Sequence, residues 1–254
     1  GDDLMLGPVE QKLLEIEKER GASFAVLLDP DSHTVESFLA GAELAQQGGA
    51  DLFLMGGSFM GNPHYSQMLS ELKKRFHLPV VLFPGGGGHV VPGADAILFT
   101  SLVSGRNPQY LIEEQIKGSV VVAALKMEPI PTAYILIDGG RTTSVEFISN
   151  TRPIPADKPK LTLVHALAAS MMGMRWTYLE AGSGAEKPVG VEHVQLVASS
   201  VPTKLIVGGG LVKPEMARKR VEAGASMIVP GNLWERVNDP VLLKEFADAV
   251  HIRR

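Results

Sequence analysis

No cysteine occurs among the 254 residues, which excludes disulfides, thiolate metal sites and cysteine nucleophiles. No stretch approaches the roughly 18 consecutive apolar residues of a membrane-spanning helix. The opening Gly1-Asp2-Asp3-Leu4 has neither the basic stretch nor the apolar centre of a secretion signal, so a cytoplasmic chain is expected. Positive charge is also in short supply: 24 Lys and Arg face 28 Asp and Glu, a net charge of −4. Without clustered Lys and Arg the chain has no means of neutralising a nucleic-acid backbone, although a local phosphate pocket stays open to it. The seven histidines show neither an HExxH nor an HxxEH spacing, so no zinc site is expected. His77, His193 and His251 read as surface residues, and Met171, Met172 and Met174 as core.

What the chain has in excess is glycine, 27 residues in all. Its distribution follows the secondary-structure pattern. A helix is expected over Pro8–Arg20, with proline at its first position and Gly21 as its stop. Then continuous apolar runs alternate with amphipathic segments. The runs are Phe24–Leu28, Leu52–Met55, Pro79–Phe83, Ala96–Phe99, Trp176–Glu180, Lys204–Val207 and Met227–Pro230. Uninterrupted apolar runs mark parallel strands buried on both faces. Two further runs, Val120–Ala124 and Tyr134–Ile137, compete to be the fifth strand. This βα alternation, unbroken by a linker, points to one α/β domain over residues 1–254, a (β/α)8 barrel. Between the third and fourth strands there is room only for the loop Pro84–Gly88, not for a helix.

Six glycine clusters directly follow strands: Gly56-Gly57, Gly85–Gly88, Gly139-Gly140, Gly182/Gly184, Gly208–Gly210 and Gly231. In a barrel these positions form the active-site face, and the loops after strands seven and eight are a frequent phosphate site. Gly209, Gly210, Gly231 and Asn232 fall there. Across the barrel, Asp29 and Ser58 end strands one and two. One carboxylate with a hydroxyl suits Mg2+ that draws its other ligands from phosphate oxygens and water. Asp31 reads as the cap of the helix beginning near Thr34. Alternation along strand six puts Tyr178 and Glu180 on one side, so Glu180 is a candidate base and Ser183-Gly184 candidate phosphate donors.

Taken in order, Leu28-Asp29-Pro30-Asp31, Met55-Gly56-Gly57-Ser58, the run Tyr178-Leu179-Glu180-Ala181-Gly182-Ser183-Gly184-Ala185, Val207-Gly208-Gly209-Gly210 and Gly231-Asn232 resemble the geranylgeranylglyceryl phosphate synthase family, its second group in particular. The resemblance spans Asp29 to Glu235. It implies a modified TIM barrel whose third helix gives way to the glycine loop. It also implies transfer of a polyprenyl group, geranylgeranyl in the first instance, from its diphosphate to the 3-hydroxyl of sn-glycerol 1-phosphate. Asp29 and Ser58 would hold Mg2+, and Tyr178–Gly184, Gly209-Gly210 and Gly231-Asn232 would hold glycerol 1-phosphate. A homo-oligomer, dimer or hexamer, is implied, with transient membrane contact for the lipid product. Phe99, Leu102, Val103, Tyr134 and Ile135 are candidates for the prenyl trough, and Glu128, Pro131 and Tyr134 match the family without an evident role.

Two other readings stay open. One is a different phosphate-binding barrel enzyme. A sugar-phosphate isomerase would pair Asp29 with Asp138, and an aldolase would need Lys126 as its Schiff-base lysine. The other is a non-catalytic phosphate-binding scaffold.

Overall fold

A computed structural model describes residues 6–231 and 239–253. Asn232 lies outside the described residues. Eight parallel strands close into a barrel in sequence order: β1 (Ser23–Leu28), β2 (Leu52–Met55), β3 (Val80–Leu82), β4 (Ala96–Leu102), β5 (Glu128–Leu136), β6 (Trp176–Glu180), β7 (Lys204–Gly208) and β8 (Met227–Val229). The seam is the pairing of Ser23 with Met227 and Phe24 with Ile228. Alternation sorts each strand's side chains into two cores. In β2, Leu52 and Leu54 join Val81, Leu98, Trp176 and Tyr178 inside the barrel, while Phe53 and Met55 face the surrounding helices.

Those helices are α1 (Pro8–Arg20), α2 (Val35–Gln47), α3 (Tyr65–Arg75), α4 (Glu114–Leu125), α5 (Ser144–Ser149), α6 (Pro159–Met171), α7 (Val191–Ser200), α8 (Pro214–Glu222) and α9 (Pro240–Val250). Local chemistry sets several of their ends. Pro8 starts α1 and Gly21, at φ +98°, ends it. Thr34 and Ser37 form a reciprocal capping box at α2. Thr34, not Asp31, is therefore the cap, and the Asp31 carboxylate instead accepts the Asn62 N–H at 2.8 Å. Between β3 and β4 the only helical piece is a 3-10 turn at Gly87–His89, in agreement with a glycine loop in place of the third helix.

The fifth strand is Glu128–Leu136. Val120–Ala124 is helical, forming the end of α4, which stops at Lys126 in the left-handed conformation. Its valines misled because α4 carries apolar residues on both faces: Val122 is buried, whereas Ile116, Val120 and Val121 are exposed. Met171 and Met172 are exposed at the end of α6, not packed in the core. His193 is buried: its Nδ1 meets the Thr162 hydroxyl at 2.8 Å and its Nε2 the Ala156 carbonyl at 2.7 Å. His251 is partly buried and pairs with Asp51 at 2.6 Å.

α1 covers the N-terminal end of the barrel. Val9 and Leu13 complete the inner core. Glu128, at the start of β5, accepts the Val9 and Glu10 N–H groups at 2.8 Å each. A carboxylate at a helix N-terminus satisfies orphan donors and opposes the helix dipole, which accounts for the presence of Glu128. Glu10, almost wholly buried, is held by Arg175 at 2.7 Å and by the Trp176 indole N–H at 3.1 Å. The open end of the barrel is the other one.

Candidate active site

At the C-terminal ends of the strands lies a cavity of about 410 Å³. Its two ends differ in chemistry. Asp29, Gly57, Ser58 and the loop Pro84–Gly87 form one side, and Glu180, Gly182 and Ser183 the other. Between and below them the wall is apolar, with Leu27, Ile97, Phe99, Leu102 and Tyr110 prominent. No Lys, Arg or His lines it among the described residues.

Strand β6 delivers Glu180 into this space because Trp176, Tyr178 and Glu180 share the inward face, while Leu179 points into the outer layer. Glu180 is only 7% exposed. Its Oε1 accepts the Gly182 N–H at 2.9 Å, and the Tyr134 hydroxyl donates to its Oε2 at 3.4 Å. Burial pushes the carboxyl up from 4.5 to about 7, against the downward pull of the Gly182 N–H and the Tyr178 and Tyr134 hydroxyls. A carboxylate placed there is poised to take or hold a proton near neutrality. Burial raises both tyrosines in turn, and the neighbouring Glu180 charge adds to it.

The glycines pack where side chains would collide. Gly209 has φ +83°, and a Cβ on it would lie 2.6 Å from Glu180 Oε1 and 2.7 Å from the Gly182 backbone. Gly210, at φ +69°, abuts Lys187 and Pro188. Together with Gly182 (φ +95°) and Gly184 (φ +73°), they make the β6 and β7 loops a bare-backbone surface of the kind that receives anions. Gly231 has nothing within 4 Å of a notional Cβ. Of the residues singled out in the sequence, Asp29, Ser58, Glu180, Gly182 and Ser183 line the cavity. Tyr178 and Gly209 stand behind Glu180. Ala181 is buried, Ser183 and Gly184 are exposed, and Leu179 offers the site only its backbone.

Opposite, Asp29 caps a 3-10 turn, its Oδ1 accepting the Asp31 N–H at 2.9 Å. The β2 loop runs directly over the carboxylate, since a Cβ on Gly57 would sit 2.4 Å from Oδ1. No cluster of three or more His, Cys, Asp or Glu able to hold a metal occurs among the described residues. One carboxylate and one hydroxyl, Asp29 and Ser58, are donors of the kind that hard cations such as Mg2+ accept.

The sequence reading missed three parts of the site. The 144–149 segment is α5, which brings Ser144, Val145 and Ile148 to the cavity. The irregular turn Gln109–Glu113 that leads into α4 brings Tyr110. Glu114 then clamps the glycine loop, accepting the Gly87 N–H at 2.8 Å, which holds its carboxyl below the usual value. A Cβ on Gly87 would lie 2.8 Å from the Glu114 carbonyl, so the loop presses against α4 backbone to backbone. His89 accepts the Gly85 N–H at 2.9 Å, and burial keeps its ring below the ordinary histidine range. Of the trough candidates, Phe99, Leu102 and Tyr134 line the cavity, while Ile135 and Val103 lie in the outer layer.

The sequence and fold recur in known proteins. The PcrB family model matches residues 14–250. A geranylgeranylglyceryl phosphate synthase of Korarchaeum cryptofilum is 42% identical over 89% of this chain and 93% of its own. One from Methanocaldococcus jannaschii is 37% identical over 97% and 95%. The crystal structure of (S)-3-O-geranylgeranylglyceryl phosphate synthase from Thermoplasma acidophilum, in complex with its substrate sn-glycerol-1-phosphate, superposes with a TM-score of 0.89 at 33% identity, covering 97% of this chain and 99% of that one. A closed eight-stranded barrel, a buried carboxylate beside bare glycine loops and these relatives together identify the chain as a member of the PcrB family, the family of geranylgeranylglyceryl phosphate synthases.

Proposed function

We propose that the protein is a Mg2+-dependent prenyltransferase that joins geranylgeranyl diphosphate to the 3-hydroxyl of sn-glycerol 1-phosphate. The observation that carries this reading is the two-ended cavity. A single carboxylate with a hydroxyl, Asp29 and Ser58, faces a buried carboxylate beside anion-receptive glycines, Glu180 with Gly182 and Gly209, across an apolar wall. The small polar acceptor fits the glycine side, where its phosphate meets backbone N–H groups of the β6 and β7 loops and the Gly231 turn. The apolar wall suits a prenyl chain, and the diphosphate then falls at the Asp29 end. Asp29 and Ser58 would hold Mg2+, which when bound would supply charge neutralisation for the diphosphate. Glu180 orients the 3-hydroxyl and accepts its proton.

The competing enzyme readings lose their residues. Asp138 is exposed on a loop, where it accepts the Gly140 N–H at 2.9 Å, and is not among the cavity residues. Lys126 is exposed at the end of α4 and is not among the cavity residues. Incubation with labelled sn-glycerol 1-phosphate, Mg2+ and prenyl diphosphates of fifteen to thirty-five carbons tests the reading. An organic-extractable phosphate product, formed fastest from the twenty-carbon donor, is expected. No such product with any donor would refute it.

A homo-oligomer and a cytoplasmic location belong to the same proposal. Two segments carry outward apolar stripes, Ile112 in the turn before α4 with Ile116 and Val120 along α4, and Leu161, Val164 and Met171 along α6, of a kind that self-association buries. Sedimentation velocity is expected to show a dimer or hexamer, and a monomer at micromolar concentration would rule it out. No helix among the described residues is long and apolar enough to cross a membrane, so contact with the bilayer during lipid release would be peripheral.

A further inference from the structure

Phe83 follows β3 and opens the glycine loop. It belongs to an aromatic trio. Tyr178 stacks against it with ring centroids 5.0 Å apart and planes 11° from parallel. Tyr134 meets it edge to face at 5.6 Å and meets Tyr178 in the same manner at 5.4 Å. Tyr178 is buried behind the wall, whereas Phe83 and Tyr134 line the cavity. The Phe83 ring is thus packed by Tyr178 against one face and by Tyr134, and Phe83, half-buried, forms part of the cavity wall.

Its place between the two polar ends is equally fixed. The Phe83 carbonyl lies so close to Gly56 that a Cβ there would be 2.0 Å away, which ties Phe83 to the loop carrying Gly57 and Ser58. On its other side Tyr134 reaches Glu180. If the diphosphate sits at Asp29 and the acceptor hydroxyl at Glu180, the reacting carbon has to pass between them, along this aromatic surface.

We propose that Phe83, flanked by Tyr134, is a catalytic residue that stabilises positive charge on the allylic carbon during transfer. This rests on the prenyltransferase reading above. In the step, the bond between carbon 1 of the prenyl group and the diphosphate oxygen breaks, and its electron pair leaves with the diphosphate. The 3-oxygen of glycerol 1-phosphate forms the new bond to that carbon, and its proton passes to Glu180. A ring face attracts a cation, most strongly where water is excluded. The cavity wall, with no Lys, Arg or His among its described residues, adds no opposing positive charge.

The test replaces Phe83 by 4-fluoro-, 3,5-difluoro- and 3,4,5-trifluorophenylalanine, which deplete the negative ring face while nearly preserving its shape. Single-turnover rates with geranylgeranyl diphosphate and sn-glycerol 1-phosphate should fall stepwise, by about tenfold over the series. Phe83→Leu should lose about thirtyfold and Phe83→Tyr stay within about threefold of the parent. The KM for either substrate should stay within about twofold across the fluorinated series. A rate that does not change with fluorination overturns the role of Phe83 while leaving the prenyltransferase reading intact. A parent protein that makes no product overturns both, and is recognised before any variant is measured.

Discussion

Glu180→Gln is expected to lower the single-turnover rate by about 10²–10⁴-fold while leaving affinity for glycerol 1-phosphate nearly unchanged. Glutamine keeps the shape and an acceptor oxygen for the Gly182 N–H, so the loop stays in place, but it accepts no proton. The pH dependence gives the sharper test. With the Glu180 carboxyl at about 7, the carboxylate form disappears below that value. The kcat/KM of the parent should fall about tenfold per pH unit on the acid side and level off above about 7. The variant's residual rate should lack this limb.

Stability runs in the opposite direction. The folded value lies above the ordinary 4.5, so folding favours the protonated group. Its contribution is complete below about 4.5 and is lost as pH rises through about 7. Over that interval the parent should lose up to roughly 3 kcal/mol that Glu180→Gln does not. Urea midpoints of the two proteins, compared at acid and neutral pH, would show this. Parallel curves would mean that Glu180 does not titrate in the window.

Asp29→Ala is expected to reduce Mg2+-dependent turnover by about 10³-fold. Because Asp29 also caps a turn through the Asp31 N–H, the alanine variant alone would confound charge with local structure. Asp29→Asn keeps an acceptor for that N–H and removes the charge. It should retain the parent's Tm yet lose turnover to a similar degree, and raising Mg2+ should restore little of it. Full activity in Asp29→Asn would remove the residue from the metal site.

Much of this site was legible in the sequence because two simple periodicities determine it. Period two along β6 sent Tyr178 and Glu180 to one face, and continuous apolar runs marked parallel strands whose ends bear the loops. Glycine clusters could be located by their position after strands alone. The failures have equally definite causes. Val120–Ala124 is apolar on both faces because half of α4 is exposed, so neither helical nor strand periodicity survives there. Met171 and Met172 read as core on hydrophobicity, which does not distinguish a packed face from an outward stripe. His193 reads as a surface residue, yet buried polar groups are tolerated where both ring nitrogens have partners, and those partners, Thr162 and Ala156, lie more than thirty residues away. The clamp of Glu114 on Gly87 spans 27 residues and belongs to no local motif. Glu128 could be recognised as a family residue, but its role required seeing that β5 begins beneath the first turn of α1.

That last contact bears on how the chain assembles. α1 precedes the barrel in the sequence, and apart from the Arg20–Asp51 ion pair most of the polar contacts that hold it come from far along the chain. Glu128 lies 118 residues beyond Glu10, Arg175 lies 165 residues beyond it, and Lys204 lies 187 residues beyond Glu17. Helix α1 has few partners until β5, β6 and β7 have been made, and the inner core it completes through Val9 and Leu13 stays open to water at that end until then. Contacts of such long sequence separation close slowly. The floor of the barrel is therefore closed by its most distant contacts, and α1 is fully secured only once β5, β6 and β7 are in place.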